Sequence, residues 1–507
     1  MTSTVLEAQR QPEARPETSH PTRRSWLWLA VGAVLLPFTI LRTVIPLAAW
    51  LAPIFLLRFA RTQRARVALP AVGIVSYAAS LIAFRGVLPA PMLYIVTAAS
   101  IIGVLAYGAD LLLAPRLRGV LRTLVFPMAD LSVTFVFSQG GFGSMGAAAY
   151  SQVDNLPLSQ VVSITGIWGL GFLISWAAPV VNELWERGFN LRAARRSVGA
   201  FTGVMIAVLL VGGARVAFAP PSAPTVQIAN LAPDRQLDEV ADVARQEARP
   251  LPAAQRTELH ERYLQPVLDD LFSRTRQAAQ GGAKIVVWSE AASFVFAQDE
   301  AAVIERAREL ARSEQIYLQI GLVSLLPTDH YPFVDIRAIL LDPEGGVAWD
   351  YTKATVPLND GNAPGPGIVP TVDTPYGRLA TVICFDASFP GLVRQAGQAG
   401  ADILLVPSSD WAQVTEPLGR TAVLRAVENG MSLVRSTRRG TSFAVDHQGR
   451  QVGSKADYFV ADQQTMVTHM PISGTRTVYA QIGDSFAYLA MAGLLVLAVV
   501  AFRRRSR

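Results

Sequence analysis

A single cysteine, Cys384, rules out an intramolecular disulfide and any cysteine-based zinc site in this 507-residue chain. The five histidines (His20, His260, His330, His447 and His469) are scattered. None has the H-E-x-x-H spacing that puts two ligands on one helical face, so neither a metal nor another cofactor is expected. Charge is also scarce. Charged residues make up 17% of the chain, against about 25% in an ordinary soluble domain. No G-x-S-x-G is present, which removes the serine-hydrolase elbow.

Apolar residues take the place of the missing charge, at 51% of the chain. After a polar tail, 1–24, which reads as disordered and cytoplasmic, the sequence runs through apolar stretches at about 26–41, 43–57, 67–84, 90–113, 120–137, 159–183 and 198–218. An eighth lies at about 483–502, before the basic end 503–507. Most approach the roughly 20 residues needed to cross a bilayer. The first two have only Arg42 between them and read either as a tight hairpin or as one long tilted helix.

The net charge of +6 does not point to nucleic acid, because its arginines cluster between apolar segments. Arg58, Arg61, Arg64 and Arg66 form one cluster, Arg116, Arg118 and Arg122 the next, and Arg187, Arg192, Arg195 and Arg196 a third. The C-terminus is a fourth, whereas loop 138–158 has no Lys or Arg. By the positive-inside rule the clusters are cytoplasmic and segment 219–482 faces the other side of the membrane. No acidic or basic pair stands near the centre of any of the seven spans before the domain, which argues against a transporter.

Segment 219–482, entered through Pro-Ser-Ala-Pro (221–224), has an α/β texture. Strand-like runs at Val226–Ala229, Ile285–Trp288, Tyr317–Leu322, Ala338–Leu341, Leu379–Ile383 and Ile403–Val406 alternate with amphipathic stretches such as 256–279 and 299–313. Reactive residues stand at the ends of these runs. Cys384 closes one strand, Glu290 follows Ile285–Trp288, and Lys353 follows the strand and turn of 338–346. A thiol nucleophile needs a base for its proton and a cation for the charge it develops, and these three residues supply each part. Gly141-Phe-Gly-Ser-Met-Gly146 matches the dinucleotide fingerprint G-x-G-x-x-G, but it falls in a loop between spans and lacks the strand–helix context that motif requires.

The motifs V-V-W-S-E (286–290), D-Y-T-K (350–353) and V-I-C-F-D (382–386), followed by A-S-F-P (387–390) and G-A-D-I-L-L-V-P-S-S-D-W (400–411), resemble the carbon–nitrogen hydrolase (nitrilase) superfamily. The spans before and after the domain, together with 149–172 and L-R-A-V-E-N-G-M-S-L-V-R-S-T (424–437), narrow the resemblance to its apolipoprotein N-acyltransferase branch. The sequence departs from that branch in having Asp386 and Asp360 where glutamates are usual, and Arg438-Arg439-Gly440 in place of an Asn-bearing turn.

The resemblance implies a polytopic bundle of about eight helices carrying an α/β, αββα sandwich domain. It implies Glu290 as general base, Lys353 as charge stabiliser and Cys384 as nucleophile, with Asp386 and Asp360 as candidates for a second carboxylate orienting Lys353. The implied partners are a membrane phospholipid as acyl donor and a diacylglyceryl-cysteine lipoprotein as acceptor. A membrane-tethered amidase or nitrilase passing its acyl group to water is the alternative. Phe294, Val295 and Phe296, beside the base, read either as acyl-path lining or as core.

Overall fold

The apolar runs fold as helices that turn back at each arginine cluster. In the computed structural model, residues 24–87, 93–220, 224–247, 257–328, 330–356, 361–453, 455–462 and 464–503 are described. The tail 1–23, linker positions 221–223, Asp360 and residues 504–507 lie outside them.

The membrane helices before the domain are α1 (Ser25–Leu35), α2 (Pro46–Thr62), α3 (Ala65–Ala83), α4 (Leu93–Leu113), α5 (Val120–Ser138), α6 (Val162–Glu186) and α7 (Leu191–Phe218). Helix Ser485–Arg503 follows the domain. Among the described residues, six of these helices are long and apolar enough to cross a membrane, the exceptions being α1 and α2. Those two form a packed hairpin and not one tilted rod, because the chain breaks at 39–45 and Pro46 opens the second helix. Helix α7 starts at Leu191, seven residues before the apolar run, where the Asn190 side chain accepts from the Ala193 N–H at 3.2 Å.

The basic clusters meet at one end of the bundle. Arg61 pairs with Asp110 at 2.8 Å and with Glu186 at 3.3 Å, and Arg122 reaches the same Glu186 at 2.7 Å. The α/β domain docks at the opposite end. There Trp411 Nε1 donates to the Gly86 carbonyl at 2.7 Å, and Trp168 Nε1 donates to Asp484 at 2.7 Å. Helix α6 kinks at Gly166 (φ +65), where an added Cβ would come within 2.6 Å of the Tyr479 ring. The freed Ile167 N–H donates to Glu428 at 2.7 Å.

Two sheets form the domain. The first runs β13-β1-β2-β4-β5-β6, with β3 on β4: β1 is Thr225–Leu231, β2 Ile285–Trp288, β3 Ser293–Phe296, β4 Tyr317–Leu325, β5 Val334–Leu341, β6 Val347–Thr352 and β13 Thr465–Pro471. The second runs β12-β11-β10-β9-β8-β7: β7 is Thr371–Thr374, β8 Gly377–Thr381, β9 Ile403–Ser409, β10 Ser432–Arg438, β11 Thr441–Val445 and β12 Ala456–Asp457. The central strands are parallel (β1, β2 and β4; β8, β9 and β10).

Strand alternation divides the core into layers. Ile285 and Val287 face the second sheet, packing with Leu405 and Val434, whereas Val286 and Trp288 face outward. The outward face is covered by helices Gln265–Gln280 and Glu300–Glu314 through Leu268, Leu271 and Phe272. On the far side Leu404, Val406 and Leu433 pack under Pro390–Ala399 and Thr415–Asn429. The result is the αββα sandwich expected from the resemblance. Strands β3, β6, β7 and β10–β13 are additions to the runs read from sequence.

Candidate active site

Glu290, Lys353 and Cys384 come from three different strand ends and converge between the sheets. Glu290 lies two residues past β2, where the backbone turns sharply at Ala291 (φ +55). Gly321 on β4 makes room for that turn, since a Cβ there would run into the Ser289 carbonyl. Lys353 follows β6 directly, and its Nζ lies 2.7 Å from Glu290 Oε1. Both side chains are nearly sealed, at 3% and 5% exposed.

Cys384 begins a tight turn, Cys384–Ser388, after β8. Its φ of +49 is left-handed, a conformation that costs a non-glycine residue about 1–2 kcal/mol. Strain of that kind persists only when the surroundings enforce it. Here the strand stops at Thr381 and not at Ile383, which lets the chain turn and aim Sγ inward.

Asp386 braces the turn. Its carboxylate accepts from the Ile383 N–H (3.1 Å), Tyr351 OH (2.8 Å), Thr355 N–H (2.9 Å) and Thr355 OH (2.7 Å). The same side chain therefore grips both the residue before Cys384 and the segment around Lys353. Burial pushes the Asp386 carboxyl up, opposed by those hydrogen bonds and by Lys353. Asp360, the other candidate for a second carboxylate, lies outside the described residues.

Ser409, at the end of β9, links Glu290 and Cys384. Its N–H donates to Glu290 Oε2 at 2.9 Å, and its carbonyl accepts from Cys384 Sγ at 3.7 Å. Sequence reasoning did not single out this residue, although it stands inside the P-S-S-D-W motif. Nor did it find Arg435, buried beside the site and bidentate to Asp410 at 3.0 and 2.9 Å. Burial pushes the Cys384 thiol well above its usual range, and Glu290 adds to this while Lys353 and Arg435 oppose it. The thiol is therefore protonated at neutral pH until a base accepts its proton.

The loop between α5 and α6 forms part of the wall. Ser144 donates to the Ser388 carbonyl from its N–H (2.8 Å) and its hydroxyl (2.7 Å), and the Phe142 ring lies 6.3 Å from that of Phe385. Gly143 permits this approach, because a Cβ there would strike the Ser388 carbonyl. The G-x-G-x-x-G string thus has a packing use. Of the aromatic run beside the base, Val295 and Phe296 are core beneath the outer helices, and Phe294 lies under the Arg438 guanidinium at 5.5 Å.

The sequence profile of the carbon–nitrogen hydrolase family matches residues 235–476. The chain carries a carbon–nitrogen hydrolase domain. Over 419 residues the chain is 26% identical to an apolipoprotein N-acyltransferase of Geobacter metallireducens, covering 77% of this chain and 76% of that protein. It is 27% identical to one from Bradyrhizobium diazoefficiens, covering 79% of this chain and 73% of that protein. Over a shorter stretch it is 29% identical to a deaminated glutathione amidase of Yersinia enterocolitica, covering 30% of this chain and 61% of that protein. The two relatives that match along most of the chain carry the N-acyltransferase name.

Proposed function

We propose that the enzyme moves an acyl chain from a membrane phospholipid to the N-terminal amine of a diacylglyceryl-cysteine lipoprotein, through a thioester on Cys384. Glu290 takes the Sγ proton and the thiolate attacks the ester carbonyl. The Lys353 ammonium stabilises the tetrahedral oxyanion. Collapse breaks the ester C–O bond, and Glu290 returns the proton to the leaving glycerol oxygen, releasing a lysophospholipid. In the second half Glu290 accepts a proton from the acceptor amine, the amide forms, and the thiol leaves reprotonated. Such a cycle has ping-pong kinetics.

One observation carries the lipid part of this reading: the wall of the site is built by the membrane bundle. An apolar groove of about 730 Å³ opens between α4 and α5, lined by Tyr94, Ile95, Ala98, Leu105, Val136 and Phe142. Phe142 is the residue packed on Phe385, next to Cys384. Drawing an acyl chain out of lipid into water costs about 0.8 kcal/mol per CH₂. A site walled by the bundle avoids that cost. The shared end of the basic clusters, opposite the domain, supports an extracytoplasmic site at a bacterial plasma membrane.

Incubating the purified protein with acyl-labelled phospholipid and no acceptor should leave label on Cys384, removable by neutral hydroxylamine. Adding a diacylated lipopeptide should chase the label onto its amine. Label passing only to water would favour the amidase-type hydrolase. Transfer surviving in Cys384→Ala would reject the assignment.

A further inference from the structure

Two arginines at the end of β10 take no part in the reaction above. They stand where the family resemblance leads one to expect an Asn-bearing turn. Parallel pairing puts Arg438 in register with Ser409 on β9. Its Nη1 lies 3.4 Å from the Ser409 hydroxyl, and its carbonyl accepts from the Asp410 N–H at 2.9 Å.

The guanidinium is held from the other side by helix α8 (Arg235–Glu247). Arg438 Nε donates to Asp238 Oδ1 at 2.8 Å and Nη2 to Asp242 Oδ1 at 3.2 Å. Arg439, itself left-handed at φ +52, contacts the remaining oxygens at 3.1 and 3.0 Å. The i, i+4 spacing sets both carboxylates on one helical face. Two cations against two anions leave the cluster neutral, so it is not built to hold an ion. Its contact with the chemistry is Ser409, whose main chain touches both Glu290 and Cys384.

We propose that Arg438, braced by Asp238 and Asp242, is a positioning residue for Glu290 and Cys384: it fixes Ser409 so that its N–H meets the carboxylate and its carbonyl meets the thiol. This rests on the site as described and holds whichever acceptor the enzyme uses. The groups facing the Glu290–Cys384 pair are Lys353 after β6 and the Arg435–Asp410 pair from β10 and the end of β9. Asp386 lies in the turn itself, and Arg438 with its two aspartates comes next outward.

The test is the pH dependence of Cys384 alkylation by iodoacetamide, in the full-length protein in detergent, with no phospholipid or acceptor present. Cys384 is the chain's only thiol. The double variant Asp238→Asn/Asp242→Asn keeps both arginines and removes two negative charges. By field alone this favours the thiolate and moves the inflection to lower pH. Loss of the Ser409 N–H from Glu290 leaves that carboxylate's charge less satisfied, which disfavours the thiolate and moves the inflection up. Losing the Ser409 carbonyl from the thiol acts the other way but is the smaller effect, because that contact is a long neutral one at 3.7 Å while the N–H meets a charge at 2.9 Å. The positioning role requires an upward shift of about half a unit, roughly threefold in thiolate at a given pH.

Ser409→Ala, which changes no charge, should shift in the same direction. Arg438→Lys keeps the charge without the planar fork and should fail to restore the wild-type profile. Melting temperatures establish that each variant is folded, and Ser409→Ala decides the matter where the double variant is not. An inflection that is unchanged or lower in either variant overturns the proposal. Because no acyl group is transferred, that outcome is separable from failure of the acyltransferase reading.

Discussion

The Lys353 ammonium lies 2.7 Å from the Glu290 carboxylate in a pocket closed to solvent, so the two side chains form one buried ion pair. A compact ammonium fits between a carboxylate and a sulfur. A guanidinium is a wide planar fork and does not. Lys353→Arg should therefore be nearly as damaging as Lys353→Ala, each lowering the rate of Cys384 acylation by about 10²–10³. Single-turnover formation of the hydroxylamine-labile adduct measures this. An Arg variant that kept more than about a tenth of the wild-type rate would remove Lys353 from the proposed chemistry.

Asp386 should matter for stability as much as for rate. Asp386→Ala leaves Tyr351 OH, the Thr355 hydroxyl and three backbone N–H groups without their acceptor. Each buried donor so orphaned costs about 1–3 kcal/mol, enough to lower the melting temperature by several degrees. Asp386→Asn keeps one carbonyl oxygen and should recover part of the loss. Thermal unfolding of the three proteins checks this, and an unchanged melting temperature in the Ala variant would contradict the bracing role.

Glu428 should make the docking of domain on bundle sensitive to pH. Burial raises its carboxyl from 4.5 to about 7, although Arg425 and the Ile167 N–H favour the charged form. A carboxyl raised in the folded state binds its proton more tightly there than in the unfolded chain. Its contribution is complete below 4.5 and is lost as pH rises through about 7. Glu428→Gln should flatten that fall. Melting temperatures between about pH 5 and pH 8 decide it: equal slopes in the two proteins would mean that Glu428 does not titrate across this range.

The convergence of the candidate site residues was legible where an apolar strand ended at a reactive side chain, as at Ile285–Trp288 before Glu290 and Leu379–Ile383 before Cys384. Those residues report their own surroundings. The partners of the site did not, because Ser409, Arg435 and Arg438 acquire their roles from the parallel register of β9 and β10, set by packing across the sandwich. The left-handed turn at Cys384 has no glycine to advertise it. Gly143, in a string whose loop setting had already removed it from nucleotide binding, contacts Ser388, a role visible only once the loop meets the domain. The short apolar runs of α1 and α2 did not distinguish a hairpin from a rod until Pro46 was seen opening a second helix.

The pairing of β1 has a consequence for how the chain is made. One edge of β1 meets β2, but the other is filled by β13, so Thr225 waits for Pro471. During synthesis the first strand of the domain therefore keeps an open hydrogen-bonding edge until nearly the whole segment has been made. Open edges invite pairing with other chains. Thirteen residues separate β13 from helix Ser485–Arg503, so the sheet closes shortly before the last span is complete. A ribosome stalled before β13 would leave a folded bundle tethering an unfinished, adhesive sheet.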